Sequence, residues 1–297
     1  MNSFLNKLSF TTGQRKIVDC FIFYNELDML EYRLSALYDI VDYFVICEAS
    51  VTHVGKSKPF IYLENKDRFA RFADKIVHVM MTNDNTRWVY YPNSLDPKEY
   101  WTNENTHRNG IARGIAQLEK EGKIGQYKNT HMDDIIVICD LDEIPNPELL
   151  HCLKKENMCG LWNDRGANIE MDFFYYKITC ISEKKWTLPK VILLGCFCNE
   201  FHKSPQLVRN YPFNNTLKRG GWHLSYFGDE HFIKNKIQNF VHYEKNTEEI
   251  TDLETIREKI KNNIGLYEKT GKEFTYLSVE DNDFPPPMAE VLLEKWK

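Results

Sequence analysis

The sequence predicts an α/β fold built on a mostly parallel sheet flanked by helices, and three observations carry that expectation. Apolar, β-rich runs of strand length alternate with helical segments through the first 160 residues. The runs are continuously apolar, as strands buried on both faces are. The last of them ends abruptly in acids, Asp140-Leu141-Asp142-Glu143, at the kind of strand end that faces a ligand crevice in such sheets.

The elements follow in order. Ile17 to Tyr24 reads as the first strand, and Asn25 is placed to cap the helix after it, with Glu26 and Asp28 in its positive first turn. Leu27, Leu30, Leu34 and Leu37 then recur at helical spacing. Tyr43 to Cys47 is the second strand, ending in Glu48, and Lys75 to Met81 the third. Asp96-Pro97-Lys98-Glu99 combines a cap, a first-turn proline and an acid, so a helix is expected from there to about Glu121, before Gly122. Asp134 to Cys139 is the fourth strand, and Pro147 opens a helix that runs to about Lys155. Beyond residue 160 the pattern turns to aromatic, strand-like pieces at Asn168–Cys180, Val191–Phe197 and Trp222–Phe227, then to helices near 230–241 and 247–268. No Gly/Ser-rich linker or repeat divides the chain, so one domain over 1–297 is expected, with halves 16–160 and 161–297.

Composition narrows the function. With 38 Lys+Arg against 43 Asp+Glu the formal charge is -5, which speaks against a nucleic-acid partner. Eight scattered cysteines, most of them in apolar runs, read as reduced core residues rather than a disulfide framework. No stretch approaches the length of a membrane span, and the first ten residues, MNSFLNKLSF, have neither the basic nor the apolar region of a signal peptide. A soluble chain, cytoplasmic or otherwise, without signal peptide or anchor is the expectation.

The chemistry concentrates in Asp140 and Asp142. Alternation aims both the same way, and two convergent carboxylates repel unless a cation stands between them; their hard oxygens suit Mg²⁺ or Mn²⁺. A nucleotide-sugar glycosyltransferase uses such a pair to hold the metal that binds a donor diphosphate. A dehalogenase-type phosphatase instead uses the first Asp as nucleophile and the second as acid/base, although its motif usually follows the first strand. A non-catalytic glycan-binding module is the third alternative.

The run Phe23-Tyr-Asn25-Glu26-Leu-Asp28-Met-Leu-Glu31-Tyr-Arg33, together with Gly55-Lys-Ser-Lys58-Pro59, Glu104-Asn-Thr-His-Arg108-Asn-Gly, Asp140-Leu-Asp-Glu-Ile-Pro145 and Gly220-Gly-Trp-His223-Leu-Ser225, resembles glycosyltransferase family 17. This is the family of β-1,4-mannosyl-glycoprotein β-1,4-N-acetylglucosaminyltransferases. The matches occur in order across about residues 17–245.

The resemblance implies a GT-A-type, Rossmann-like sheet with a mixed, acceptor-side second half. It also implies a divalent metal (Mn²⁺ or Mg²⁺), a UDP-sugar donor, most simply UDP-GlcNAc, inversion to a β-linkage, and a glycan or glycoprotein acceptor. Asp140 and Asp142 match the metal and donor motif, with Glu143 beside them as a further catalytic carboxylate, and His223 falls where a late histidine ligand is expected. Asn25, Glu26 and Glu48 end the first two strands, where base and ribose would lie; Lys58, Arg108 and Arg113 are cations for diphosphate or uracil. Arg108 also stands four residues after Glu104, the spacing of a helix-surface ion pair. Inversion needs a base for the acceptor hydroxyl. Glu230 is the first choice, with Asp229 and Glu244 as rivals, while Trp162, Trp186, Trp222 and Phe173-Phe-Tyr-Tyr176 offer rings for sugars.

Overall fold

A computed structural model describes residues 15–89, 100–125, 134–155, 166–268, 273–287 and 296. Strand β1 (Ile17–Phe23) pairs in parallel with β2 (Tyr43–Ala49) on one side and with β4 (Ile135–Ile138) on the other; β3 (Ile76–Met81) extends the parallel set beyond β2. These strands lie between two apolar layers, so both sets of alternating side chains are buried. Ile17, Phe21 and Phe23 face a core shared with helix α1 (Leu27–Leu37). Val18 and Cys20 face a second core, shared with α3 (Tyr100–Lys120). That two-sided burial is why the sequence shows unbroken apolar runs there.

Local chemistry accounts for most of the boundaries. Glu26, not Asn25, holds the position before α1, and no side chain caps that helix. A short helix, α2 (Ile61–Glu64), and a 3-10 turn over Lys66–Phe72 follow β2; periodicity did not announce either, yet they put Tyr62, Phe69 and Phe72 into the core. The Asp96-Pro97 start expected for α3 lies outside the described residues, while its end agrees with expectation, Gly122 taking a left-handed φ of 67° just past Lys120.

The second half continues the same sheet. β8 (Lys190–Leu193) is antiparallel to β4 and to β6 (Gly166–Tyr175), and β7 (Lys177–Ser182) and β10 (Phe274–Tyr276) complete that edge. The expected run Asn168–Cys180 is therefore a hairpin, broken at Tyr176 with φ 66°. The expected strand Val191–Phe197 stops at Leu193, where the chain enters α5 (Leu194–Asn199). Trp222–Phe227 belongs mostly to the longer β9 (Thr216–Ser225), parallel to β6 and paired antiparallel with β5 (Glu143–Pro145).

Helix α4 (Pro147–Lys155) closes the first half, and α6 (Pro205–Asn210) and α7 (Glu230–Asn239), with α8 (Leu253–Lys261) packed against α7, belong to the second. Ser204, Asp229 and Asp252 each accept a backbone N–H in the first turn of α6, α7 and α8. Capping by Asp252 makes α8 start later than the 247–268 pattern suggests. Cys20, Cys47, Cys139 and Cys180 are buried and free as expected, whereas Cys152 is exposed; Cys159 lies outside the described residues. Among the described residues no helix is long and apolar enough to cross a membrane.

Candidate active site

The parallel pairing puts the carboxyl ends of β1, β2 and β4 along one edge, and a cavity of about 660 Å³ opens there. Tyr24 and Glu26 enter it after β1, Thr52 and His53 after β2, and Asp140 to Asp142 after β4. The far walls come from α3, α6 and α7 and from the aromatic side chains of the second half.

One buried guanidinium shapes the acidic turn. Arg33, on α1, is fully buried and holds both oxygens of the equally buried Asp19 at 2.8 and 2.6 Å. Its Nη1 donates to the carbonyls of Asp140, Leu141 and Glu143 at 2.8, 3.0 and 2.7 Å. The sequence quotes Arg33 within a motif without a role; its partners are brought together only by the fold.

Glu143 does not reach the cavity. Its Oε2 accepts from the Asp140 N–H and from Arg209 Nη1, both at 2.7 Å, and its Oε1 accepts from Arg209 Nη2 and from the Trp186 indole. The carboxylate is fully buried with all its acceptor capacity used, so the structure places Glu143 beneath the turn and not in the cavity where the expected catalytic role would need it.

Asp140 and Asp142 do line the cavity. Asp140 accepts from Arg108 Nη2 through one oxygen and from Arg209 Nη2 through the other, each at 2.9 Å. Burial pushes the Asp140 carboxyl up, and the two guanidiniums more than reverse that, holding it well below the usual carboxylate range. Asp142 Oδ2 accepts from Lys236 Nζ at 3.0 Å, and Lys236 also reaches Glu26 at 3.1 Å. Burial likewise raises Asp142, and Lys236 and His223 bring it below its ordinary value.

Strand β9 delivers His223. Glu143 lies opposite His223 in the β5–β9 register, and the Leu224 N–H donates to the Asp142 carbonyl at 2.7 Å. Gly221 permits this approach: its φ is 149°, and a Cβ there would stand 2.1 Å from the Ile144 carbonyl oxygen.

Other expected residues divide. Arg108 lines the cavity, makes the pair with Glu104 that the sequence raised, at 2.7 Å, and pairs with Asp140 as well. Lys58 lines the cavity and pairs with Glu48 at 3.3 Å; Glu48 itself lies fully buried below, accepting also from the Tyr62 N–H and facing His78. Asn25 stands outside the lining, its amide donating to Asn235, and Arg113 binds Asn85 and Thr86 away from the cavity. Glu230 and Glu244 do not line it either: they pair with Arg257 and His242, and Asp229 is spent on its cap. Trp162 lies outside the described residues, and the Trp222 indole donates to the Phe284 carbonyl, away from the cavity.

Arg209 and Lys236 carry no sequence signal, since each reads as a solvated charge on a short helix. A buried pair was missed as well: His107 Nε2 meets the Cys47 carbonyl at 2.9 Å and His53 Nε2 meets His107 Nδ1 at 3.4 Å. Burial lowers the pKa of both rings.

As a metal centre the residues fit in part. Asp142 Oδ1 and His223 Nε2 stand 3.6 Å apart, a separation two ligands of one cation can span, and His223 Nδ1 is buried without a partner among the described residues. Asp140 is turned to its arginines, and among the described residues no three His, Cys, Asp or Glu side chains converge as a ready-made ligand set. The donor set therefore suits a cation whose shell a ligand completes.

Comparison with known proteins bears on this arrangement. The β-1,4-mannosyl-glycoprotein 4-β-N-acetylglucosaminyltransferases of Rattus norvegicus, Homo sapiens and Mus musculus are each 25% identical over 134 residues, which is 44% of this chain but only 22% of the relative's length. The family profile described as Glycosyltransferase family 17 matches residues 4–285, a span holding the acidic turn, the Arg33 clamp and His223 together. The chain therefore belongs to glycosyltransferase family 17.

Proposed function

We propose that the chain is a metal-dependent, inverting glycosyltransferase of GT-A architecture that moves a sugar, GlcNAc from UDP-GlcNAc, onto a hydroxyl of a mannose-containing glycan. One observation carries the reading: Asp140 and Asp142 stand in the cavity at the carboxyl edge of a parallel sheet, balanced by Arg108, Arg209 and Lys236 from three different helices. Buried cations suit a diphosphate, whose oxygens accept charge-assisted hydrogen bonds. Membership of a glycosyltransferase family supports a nucleotide-sugar donor, and the activity of the β-1,4-mannosyl-glycoprotein 4-β-N-acetylglucosaminyltransferases supports GlcNAc and a mannosyl acceptor.

A Mn²⁺ or Mg²⁺ ion would be held by Asp142 and His223 with Asp140 beside them, and when bound it supplies neutralisation of the departing diphosphate. The chain's own groups do the remaining work. Arg33 and Glu143 fix the turn that carries the two aspartates, while Arg108 and Arg209 bind anionic oxygens and Lys236 keeps Asp142 ionised. A phosphatase would need Asp140 free for attack, whereas both its oxygens are engaged by guanidiniums.

The test is UDP release from a panel of UDP-sugars with mannosides, in Mn²⁺ or in EDTA. Turnover of UDP-GlcNAc that needs Mn²⁺ and falls at least about a hundredfold in Asp140→Ala and Asp142→Ala is the expected result. Full activity in either variant would sink the assigned roles, and phosphate release from simple phosphoesters would reinstate the phosphatase.

A further inference from the structure

The end of the cavity away from β1 and β2 holds two carboxyl groups, Glu268 and Glu273, that neither the fold nor the donor half uses. Both lie on the wall of the same cavity, flanking the Phe274 ring. Glu273 is tied to a cation, accepting from Lys184 Nζ at 2.9 Å. Glu268 is not: its Oε2 is buried with no hydrogen-bond partner among the described residues. An ionised carboxylate can only accept, and Glu273 close by raises the proton affinity of Glu268 above that of a free carboxylate.

The backbone is built around this group. A Cβ at Gly265 would stand 3.1 Å from Glu268 Cγ and 3.1 Å from the Phe274 ring, a crowding that glycine avoids. The Glu268 carbonyl accepts from Lys259 Nζ at 3.0 Å and its N–H donates to the Gly265 carbonyl at 3.0 Å, which fixes the stem.

Aromatic rings connect this end to the acidic turn. Phe274 meets Phe173 edge-on at 5.5 Å, and Phe173 stacks on His223 at 4.8 Å. On the other side, Tyr226 and Tyr267 share a hydrogen bond of 2.6 Å, and the Tyr226 ring lies 5.4 Å from Lys236 Nζ. Such ring faces receive the C–H face of a pyranose, while a carboxylate beside them accepts from its hydroxyls.

We propose that this end is the acceptor subsite, taking a pyranose at the terminus of a glycan, and that Glu268 is the base that accepts the proton of its attacking hydroxyl. The proposal rests on the transferase reading above. As the acceptor oxygen forms its bond to C1 of the donor sugar, the bond from C1 to the diphosphate oxygen breaks and the nucleoside diphosphate leaves with the electron pair. The hydroxyl proton passes to the Glu268 carboxylate, which becomes the neutral acid.

The experiment compares the full chain with Glu268→Gln and Phe274→Ala, reading UDP affinity by calorimetry and UDP release from UDP-GlcNAc with methyl mannosides, and with water alone as acceptor. Glu268→Gln is expected to bind UDP as the parent does and to lose release by about a hundredfold or more, mostly in kcat. Phe274→Ala is expected to raise KM for the mannoside more than tenfold with UDP affinity unchanged. Retained UDP affinity confirms that a variant is folded. Unchanged release in Glu268→Gln overturns the base while leaving the transferase reading intact; no UDP binding by the parent chain removes both.

Discussion

Arg33 is the residue on which the acidic turn depends. A guanidinium with no exposure that satisfies one carboxylate and three carbonyls leaves two kinds of orphan when removed: a buried Asp19 charge and the unpaired carbonyls of the turn. Arg33→Met is expected to destabilise the fold by about 3–5 kcal/mol, measured by urea unfolding. Arg33→Lys keeps the charge but loses the fork, so a milder loss of stability with weakened UDP binding is expected of it. The opposite outcome is expected at Glu230, which is paired with Arg257 and lies outside the cavity lining. Glu230→Gln should leave UDP release within about twofold of the parent, whereas a base in that position would lose about a hundredfold or more. The sequence marked Glu230 as an acid at a plausible distance along the chain. It had no means of marking Glu268, whose neighbour Phe274 is placed only when β10 closes on β7.

At the scale of elements, the strands of the first half were legible because two apolar layers impose continuous burial on them, a constraint written residue by residue. The second half was less so. Its strand-like pieces were found, but the hairpin at Tyr176 and the passage from β8 into α5 depend on tertiary pairing rather than on turn residues. The short β5 was invisible, having three residues and taking its register from β9. That register is also the source of a prediction. Gly221→Ala would force a methyl against the Ile144 carbonyl, and separation of β5 from β9 would draw His223 from Asp142. A loss of at least about 1 kcal/mol in thermal unfolding is expected, with Mn²⁺ affinity falling alongside it. A variant of normal stability and normal Mn²⁺ affinity would show that the two strands tolerate a wider gap.

For the whole molecule, the fold class and the acidic site at the sheet edge could be read from the sequence. The cations that balance that site could not, since Arg108, Arg209 and Lys236 come from three helices far apart in the chain. Charge buried in this way links stability to pH. Burial lowers the pKa of His53 and His107, so the unfolded chain takes up protons below about pH 6.5 that the folded chain refuses. Stability is therefore fully present above that pH and declines as pH falls toward the folded values. The midpoint of urea unfolding should drop between pH 7 and pH 5, and less steeply in His107→Gln. Asp140 and Asp142, shifted below their ordinary values, add a second loss starting near pH 4, as the unfolded carboxylates protonate first.

The antiparallel pairing of β5 with β9 also has a bearing on synthesis. The acidic turn leaves the ribosome well before the strand that completes it, and until β9 threads in beside β6 and β5 the nascent chain has no His223 beside Asp142. Under the proposed function, metal and nucleotide sugar would thus meet a finished site only once most of the polypeptide has been made. Any cleavage product ending before β9 would keep both aspartates while lacking the strand that gives them their third partner.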